Sequence, residues 1–267
     1  MCRMLMAVGN VQMGLLLDSA IKMAKDENST HELNEDLGPG SWIHSDGWGI
    51  AYLDGTTWII EKSTKAIFHD QKVEGLRNIK TNLAIIHLRK KMGSNTHFNN
   101  THPFHIKRED LGEFIFCHNG HIENKIEFCP SFTLKGETDS EQLFYAILSK
   151  MQEELPVDSI RETLDKYNKC SGTNVILATK DISYIGTKEN KFHRYYQMKI
   201  AQTNDLVLVS SEILDDFKEL EWRDITPGDI LTIDNNKLTF HIDQKPVIAD
   251  LKNEEEEEES PNNIKSF

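Results

Sequence analysis

CRMLMAVGNVQMGLLLDSAIKMAK, Cys2 to Lys25, carries two apolar periods in succession. Cys2 to Val8 is an apolar run interrupted only by Arg3 and followed by Gly9 and Asn10, which reads as a short buried strand ending at those two residues. From Met13 to Lys25 the apolar residues Leu16, Leu17, Ala20, Ile21 and Ala24 recur at helical spacing, and Asp26, Glu27 and Asn28 end the pattern. Residues 26–41 are polar and punctuated by Gly and Pro, as in a surface loop, and the chain re-enters the core at Trp42.

Outward from this start, strand signals fall at Gly49 to Leu53, Trp58 to Glu61, Leu83 to Leu88 and Glu113 to Cys117, with Asp54-Gly55 as a hairpin turn. A helix is expected from Asp139 to Met151, capped by Thr138 or Asp139, and another from Val157 to Tyr167. Short strands return at Asn174 to Thr179, Ile182 to Gly186, Leu206 to Ser210, Ile230 to Ile233 and Leu238 to Ile242. Strands and helices do not alternate regularly, so a parallel doubly wound sheet is disfavoured. The expectation is an α+β fold of antiparallel sheets with helices stacked on them.

The chain has 267 residues, long enough to bury a sizeable core, and its 27% charged residues lie within the globular range. The formal net charge of −13 opposes binding to phosphate backbones, so nucleic acid is not an expected partner. Part of that charge is the run Glu254 to Glu259. One domain is expected over residues 2–250, with an acidic, solvated and disordered tail over 251–267. No window approaches the roughly 20 apolar residues of a membrane-spanning helix, and the N-terminus lacks a signal-peptide pattern. Cys2, Cys117, Cys129 and Cys170 show no CxxC pair and read as free thiols, which suits a reducing cytoplasm.

Cys2 is notable for its position. Loss of Met1 would put a thiol and a free α-amine on one residue, and an amine with an ordinary pKa of about 7.7 to 8.0 could take the thiol proton directly or through a water. Position alone is also compatible with a small buried residue at a strand start.

CRMLMAVG (2–9), HSDGWGIAYL (44–53), HLRKKMG (87–93), NNTHPF (99–104), FCHNGHIEN (116–124) and GETDSEQLF (136–144) occur in this order. Together they resemble the class II glutamine amidotransferases, of the N-terminal-nucleophile hydrolase type, especially the compact stand-alone members. SSEIL (210–214) and WRDITPGDI (222–230) extend the likeness more loosely. The resemblance implies a four-layer αββα sandwich with Cys2 at the mouth of a cleft between the sheets. It further implies Met1 removal, attack of Cys2 on the glutamine side-chain amide, ammonia release and a γ-glutamyl thioester.

The resemblance also gives supporting roles. Asn119 and Gly120 would supply a side-chain NH2 and a backbone N–H to an oxyanion, although His118-Asn119-Gly120 read alone is a turn after a strand. Arg89, read as an exposed residue contributing little to folding, would take the substrate α-carboxylate, and Asp139 its α-ammonium. His44, Asp46, Gly47, Trp48, Asn100 and Pro103 are assigned to the scaffold, with Trp48 the one placed near the ligand. His87, His102, His118 and His121 do not have the spacing of a compact zinc ligand set, and neither a metal nor another cofactor is expected.

The family commonly has a small residue and Thr before Gly93, where this chain has Lys90, Lys91 and Met92. The pocket wall therefore differs, and a γ-glutamyl amide or peptide with another leaving group is an alternative substrate to glutamine. A catalytically inactive binding protein on the same fold is a second alternative. The chain has neither a P-loop nor a GxGxxG sequence, so an ammonia acceptor would belong to a separate protein.

Overall fold

The first strand, β1 (Arg3–Gln12), divides the core by its alternation. Met4, Met6 and Val8 project into the layer between two sheets, while Leu5 and Ala7 pack on the other side against helix α1 (Met13–Lys25). The computed structural model describes residues 2–28 and 42–245. The 29–41 part of the expected loop and the expected acidic tail lie outside the described residues.

After α1 come β2 (Trp48–Asp54), β3 (Thr57–Ser63), the short α2 (Lys72–Leu76), β4 (Lys80–Leu88), β5 (Phe104–Arg108) and β6 (Gly112–Ile122). Helices α3 (Asp139–Lys150) and α4 (Pro156–Lys166) follow, then β7 (Cys170–Ala178), β8 (Ile182–Glu189) and the single turn α5 (His193–Tyr196). The described fold closes with β9 (Lys199–Gln202), β10 (Leu206–Ser210), β11 (Arg223–Asp224), β12 (Ile230–Asp234) and β13 (Thr239–Asp243).

Seven strands form one sheet in the order β11-β9-β10-β1-β4-β2-β3, and six form the other in the order β13-β12-β8-β7-β6-β5. The β1–β4, β1–β10, β6–β7 and β7–β8 ladders at the centres of these sheets are antiparallel. Three apolar layers hold the stack together. Met6, Ile85, Ile115, Ile176 and Val209 meet between the sheets, Leu17 and Ala20 of α1 cover the seven-stranded sheet, and Leu143, Ile147 and Ile160 of α3 and α4 cover the other. Each fully buried large aliphatic side chain contributes about 1.5–3 kcal/mol. The expected αββα sandwich of antiparallel sheets is the fold observed.

The helix expected from Met13 to Lys25 forms over those residues, and Asp26 ends it in the left-handed conformation at φ 61°. Thr138 caps α3 by accepting from the Glu141 N–H. The first strand, by contrast, does not stop at Gly9 and Asn10. Its pairing with β4 shifts between Val8 and Val11, and the strand runs on to Gln12. Gly9 sits in this irregularity at φ 110°, where a Cβ would lie 2.2 Å from the Asp205 carbonyl oxygen. A bulge has the local composition of a strand end. Strands β5, β9 and β11 lack expected counterparts because they are short, and β5 and β11 are also rich in charged residues. Among the described residues no helix is long and apolar enough to cross a membrane.

Candidate active site

Cys2 immediately precedes β1 and shares the parity of Met4, Met6 and Val8, which aims its side chain at the inter-sheet space. Its neighbour Arg3 is fully buried on the opposite face. Arg3 pairs with Glu212 at 3.4 Å, donates to the Tyr195 carbonyl at 3.0 Å, and lies over the Tyr195 ring at 4.1 Å. The Tyr195 hydroxyl then donates to the Cys2 carbonyl at 3.0 Å. The Cys2 backbone is thereby fixed from a segment near the other end of the described fold.

Two contacts hold the nitrogen and the thiol of Cys2. The Cys2 nitrogen donates to Asn119 Oδ1 at 2.7 Å, and the thiol faces the Lys90 carbonyl oxygen at 3.6 Å. Burial pushes the thiol above its ordinary pKa, opposed by the terminal ammonium, the Lys90 contact and the Arg89 charge. A half-buried thiol raised in this way stays protonated until a base takes its proton.

Asn119 and Gly120 lie within β6 and pair with Asn174 and Thr173 of β7, so the residues with a turn signature are strand residues here. The strand expected to stop at Cys117 continues through them to Ile122. Asn119 is fully buried, and its Nδ2 has no hydrogen-bond partner among the described residues. With Oδ1 held by Cys2, that NH2 is a donor available beside the thiol. Gly120 has no room for a side chain, because a Cβ would stand 2.5 Å from His118 Nε2 and 2.8 Å from the Gly172 carbonyl. His118 is itself locked, Nδ1 to Ser140 Oγ at 2.8 Å and Nε2 to Thr173 Oγ1 at 2.7 Å.

Arg89 follows β4 and is only 3% exposed, which corrects its reading as an exposed residue. Its guanidinium donates to the Asp46 carbonyl at 3.3 Å, Ser94 Oγ at 2.7 Å and the Asn95 carbonyl at 3.0 Å. All three partners are neutral oxygens, so the buried charge is left without a counterion among the described residues, a costly arrangement that an incoming carboxylate would relieve. Asp139, the first residue of α3, accepts from the Ile122 and Ser140 N–H groups at 2.6 and 2.9 Å and keeps its carboxylate on the cleft.

Cys2, Arg89, Gly120 and Asp139 line one narrow cleft of about 40 Å³, together with Lys90, Lys91, Met92 and Ser94. Trp48 does not. It is fully buried with Ile50 and Tyr52 on the α1 side of β2, and its indole N–H donates to Asp70 at 3.2 Å. Its parity along β2 is the reason, since Gly49 and Ala51 take the opposite face. Asp46, Ser94 and Asn95, which hold Arg89, and Tyr195, which holds Cys2, were not marked as functional by the sequence. Asp46 stood in a marked motif, whereas α5 gave no local signal.

His102 and His118 lie on the wall of the cleft, and His87 packs behind them. His87 and His102 stack at 4.1 Å, and burial drives His87 to about 3, His118 to about 4, and His102 well below the ordinary imidazole value. These rings are neutral packing and hydrogen-bonding groups at neutral pH.

Comparison with known proteins adds an independent line. The family described as glutamine amidotransferases class-II matches residues 34–179. An uncharacterised protein of Methanocaldococcus jannaschii is 31% identical over 179 residues, 65% of this chain and 45% of that protein. This chain thus spans under half the length of that curated relative. Among solved structures, the glutamine phosphoribosylpyrophosphate amidotransferase of B. subtilis superposes with a TM-score of 0.65 at 16% identity, over 90% of this chain and 49% of that one. A glutamine aminotransferase class-II domain protein of Silicibacter pomeroyi gives 0.58 at 17% identity, over 92% of this chain and 100% of that one. At such identities these two structures share the fold.

Proposed function

This chain belongs to the class II glutamine amidotransferases, and on that footing we propose that it hydrolyses the side-chain amide of glutamine with Cys2 as nucleophile. Removal of Met1 makes the Cys2 nitrogen an α-amine. That amine takes the thiol proton, the thiolate adds to the amide carbon, and the oxyanion receives hydrogen bonds from Asn119 Nδ2 and the Gly120 N–H. The proton held by the amine passes to the leaving nitrogen, ammonia departs, and a γ-glutamyl thioester remains. Water, deprotonated by the same amine, adds to the thioester and releases glutamate and the free thiol.

The observation that carries this reading is the 2.7 Å contact from the Cys2 nitrogen to Asn119 Oδ1, with the other end of the Asn119 amide free to donate. Arg89 would pair the substrate α-carboxylate and Asp139 its α-ammonium, giving a zwitterionic amino acid a complementary charge at each end. The test is incubation with glutamine and measurement of glutamate and ammonia. Equal production of both is expected from the parent protein, and none above background from Cys2→Ala.

Lys91 and Met92 on the cleft wall support a second reading, in which the substrate is a γ-glutamyl amide or peptide with a leaving group larger than ammonia. A panel of γ-glutamyl compounds separates the two by kcat/KM. A protein inert toward the whole panel would instead be a binding protein on this fold.

A further inference from the structure

β3 and β5 are edge strands, one of each sheet, and a second cavity of about 310 Å³ is lined from Ile60 and Lys62 of β3, Phe104 and His105 of β5, and Glu141 and Tyr145 of α3. Its lining is distinct from that of the catalytic cleft. Ile60, Phe98, Phe104 and Tyr145 give it apolar walls, and Phe98 stands 53% exposed. The Lys62 ammonium lies within it, 5.5 Å from the ring centroids of both Phe98 and Phe104. A lysine held over two aromatic faces, without a carboxylate ion-pair partner among the described residues, is an incomplete arrangement.

We propose that this cavity binds a small organic anion, a carboxylate on a flat apolar body, with the Lys62 ammonium as counterion and the Phe98 and Phe104 rings as walls. The charges around Lys62 favour an anion. Lys135 is a second cation on the lining, and its influence opposes protonation of Lys62. The one acid on the lining, Glu141, is already engaged by the Lys135 and Gly136 N–H groups at 2.9 and 2.8 Å and by the Tyr145 hydroxyl at 3.2 Å. His105 is paired with Glu113 at 2.9 Å. A carboxylate would therefore meet the two cations Lys62 and Lys135 against the single charge of Glu141, and rings that bury its body, whereas a cation would meet the same excess of positive charge as repulsion.

Burial lowers Lys62 to about 8, with Lys135 acting in the same sense and Cys117 and Glu141 against it. Binding of an anion must raise that value, so binding takes up a proton and weakens once the medium is more alkaline than the Lys62 titration. Cys117 and Tyr145, the other weak acids near it, are pushed upward by burial, away from that range. The cavity also borders the reaction site. The Phe98–Asn100 turn and residues 135–141 supply lining to both spaces, and the His102 ring packs on Phe104 at 4.5 Å.

The test is calorimetric titration of the full chain with benzoate, with benzylamine and acetate as comparison probes. Saturable benzoate binding is expected, at least tenfold weaker for acetate, absent for benzylamine, and unchanged in Cys2→Ala. It should fall at least tenfold in Lys62→Met and in Phe98→Ala, the second altering a ring that is already half exposed and so sparing the fold. In the parent protein, binding should weaken as pH rises through about 8, with proton uptake visible as a dependence of the heat on buffer ionisation. No saturable benzoate binding, equal binding by Lys62→Met, or equal binding of benzylamine would overturn the proposal. If Lys62→Met does not fold, the parent pH profile and Phe98→Ala decide it, and a flat profile with undiminished binding by Phe98→Ala counts against.

Discussion

Asn119 accepts the Cys2 N–H at 2.7 Å across a separation of 117 residues, which sets the start of β1 in one sheet against β6 of the other. In the proposed reaction one carboxamide would serve two purposes: its oxygen holds the Cys2 nitrogen, and its nitrogen would donate to the oxyanion. Asn119→Ala and Asn119→Asp both remove the NH2, while Asp retains an acceptor for the Cys2 nitrogen. Steady-state kinetics should show kcat lower by about 100- to 1000-fold in both, with little change in KM. Retained activity in Asn119→Asp would assign the residue to orientation alone.

Arg89 offers a separable test of substrate recognition. Arg89→Lys keeps a positive charge but loses the planar fork, so KM for glutamine should rise at least tenfold while kcat at saturation changes much less. Arg89→Ala is less informative than its reading as an exposed residue suggested. It deletes three hydrogen bonds from a nearly buried side chain and should lower thermal stability as well. An unchanged KM in Arg89→Lys would remove the carboxylate role.

The contrast between Arg89 and Trp48 shows what the sequence could convey. The layered α+β fold and the limits of α1 were legible because the apolar period over Met13–Lys25 is regular and polar residues close it. The motif order located Cys2, Arg89, Asn119, Gly120 and Asp139, and four of these line one cleft, with Asn119 bonded to Cys2. Burial of Arg89 was not legible, because it depends on loop atoms of Asp46, Ser94 and Asn95 closing over it. Trp48 was misplaced although its parity with Ile50 and Tyr52 was available in the sequence, since strand limits uncertain by one residue leave the facing side undecided. Tyr195 could not be found locally, as its contact with Cys2 exists only once β1 and α5 are brought together.

The buried histidines predict an acid-labile fold. His87 and His118 have ordinary values of 6.5 in the unfolded chain and about 3 and about 4 when folded, with burial the leading cause. Below 6.5 the unfolded chain therefore binds more protons than the folded one, so stability is fully present above that value and declines as pH falls toward the folded values. Urea midpoints should be level above 6.5 and fall below it, and the decline should be shallower in His118→Gln. A midpoint independent of pH across this window would contradict the assignment of neutral buried rings.

Gly120 tests the packing behind the proposed oxyanion donor. In Gly120→Ala the new methyl meets His118 Nε2, which Ser140 and Thr173 hold in place, and the rigid backbone of Gly172. The expected result is a lower melting temperature together with loss of most glutaminase activity. Full activity with an unchanged melting temperature would mean that β6 shifts freely here and that the donor is not held by its surroundings.

The most direct test of the central claim is the mass of the protein itself, taken from acid-quenched samples during glutamine turnover. The account predicts a chain that starts at Cys2, without Met1, carrying in a fraction of molecules one additional γ-glutamyl group that maps to Cys2 and disappears on treatment with hydroxylamine. Turnover by a chain that still bears Met1, or a γ-glutamyl group on any other residue, would contradict it.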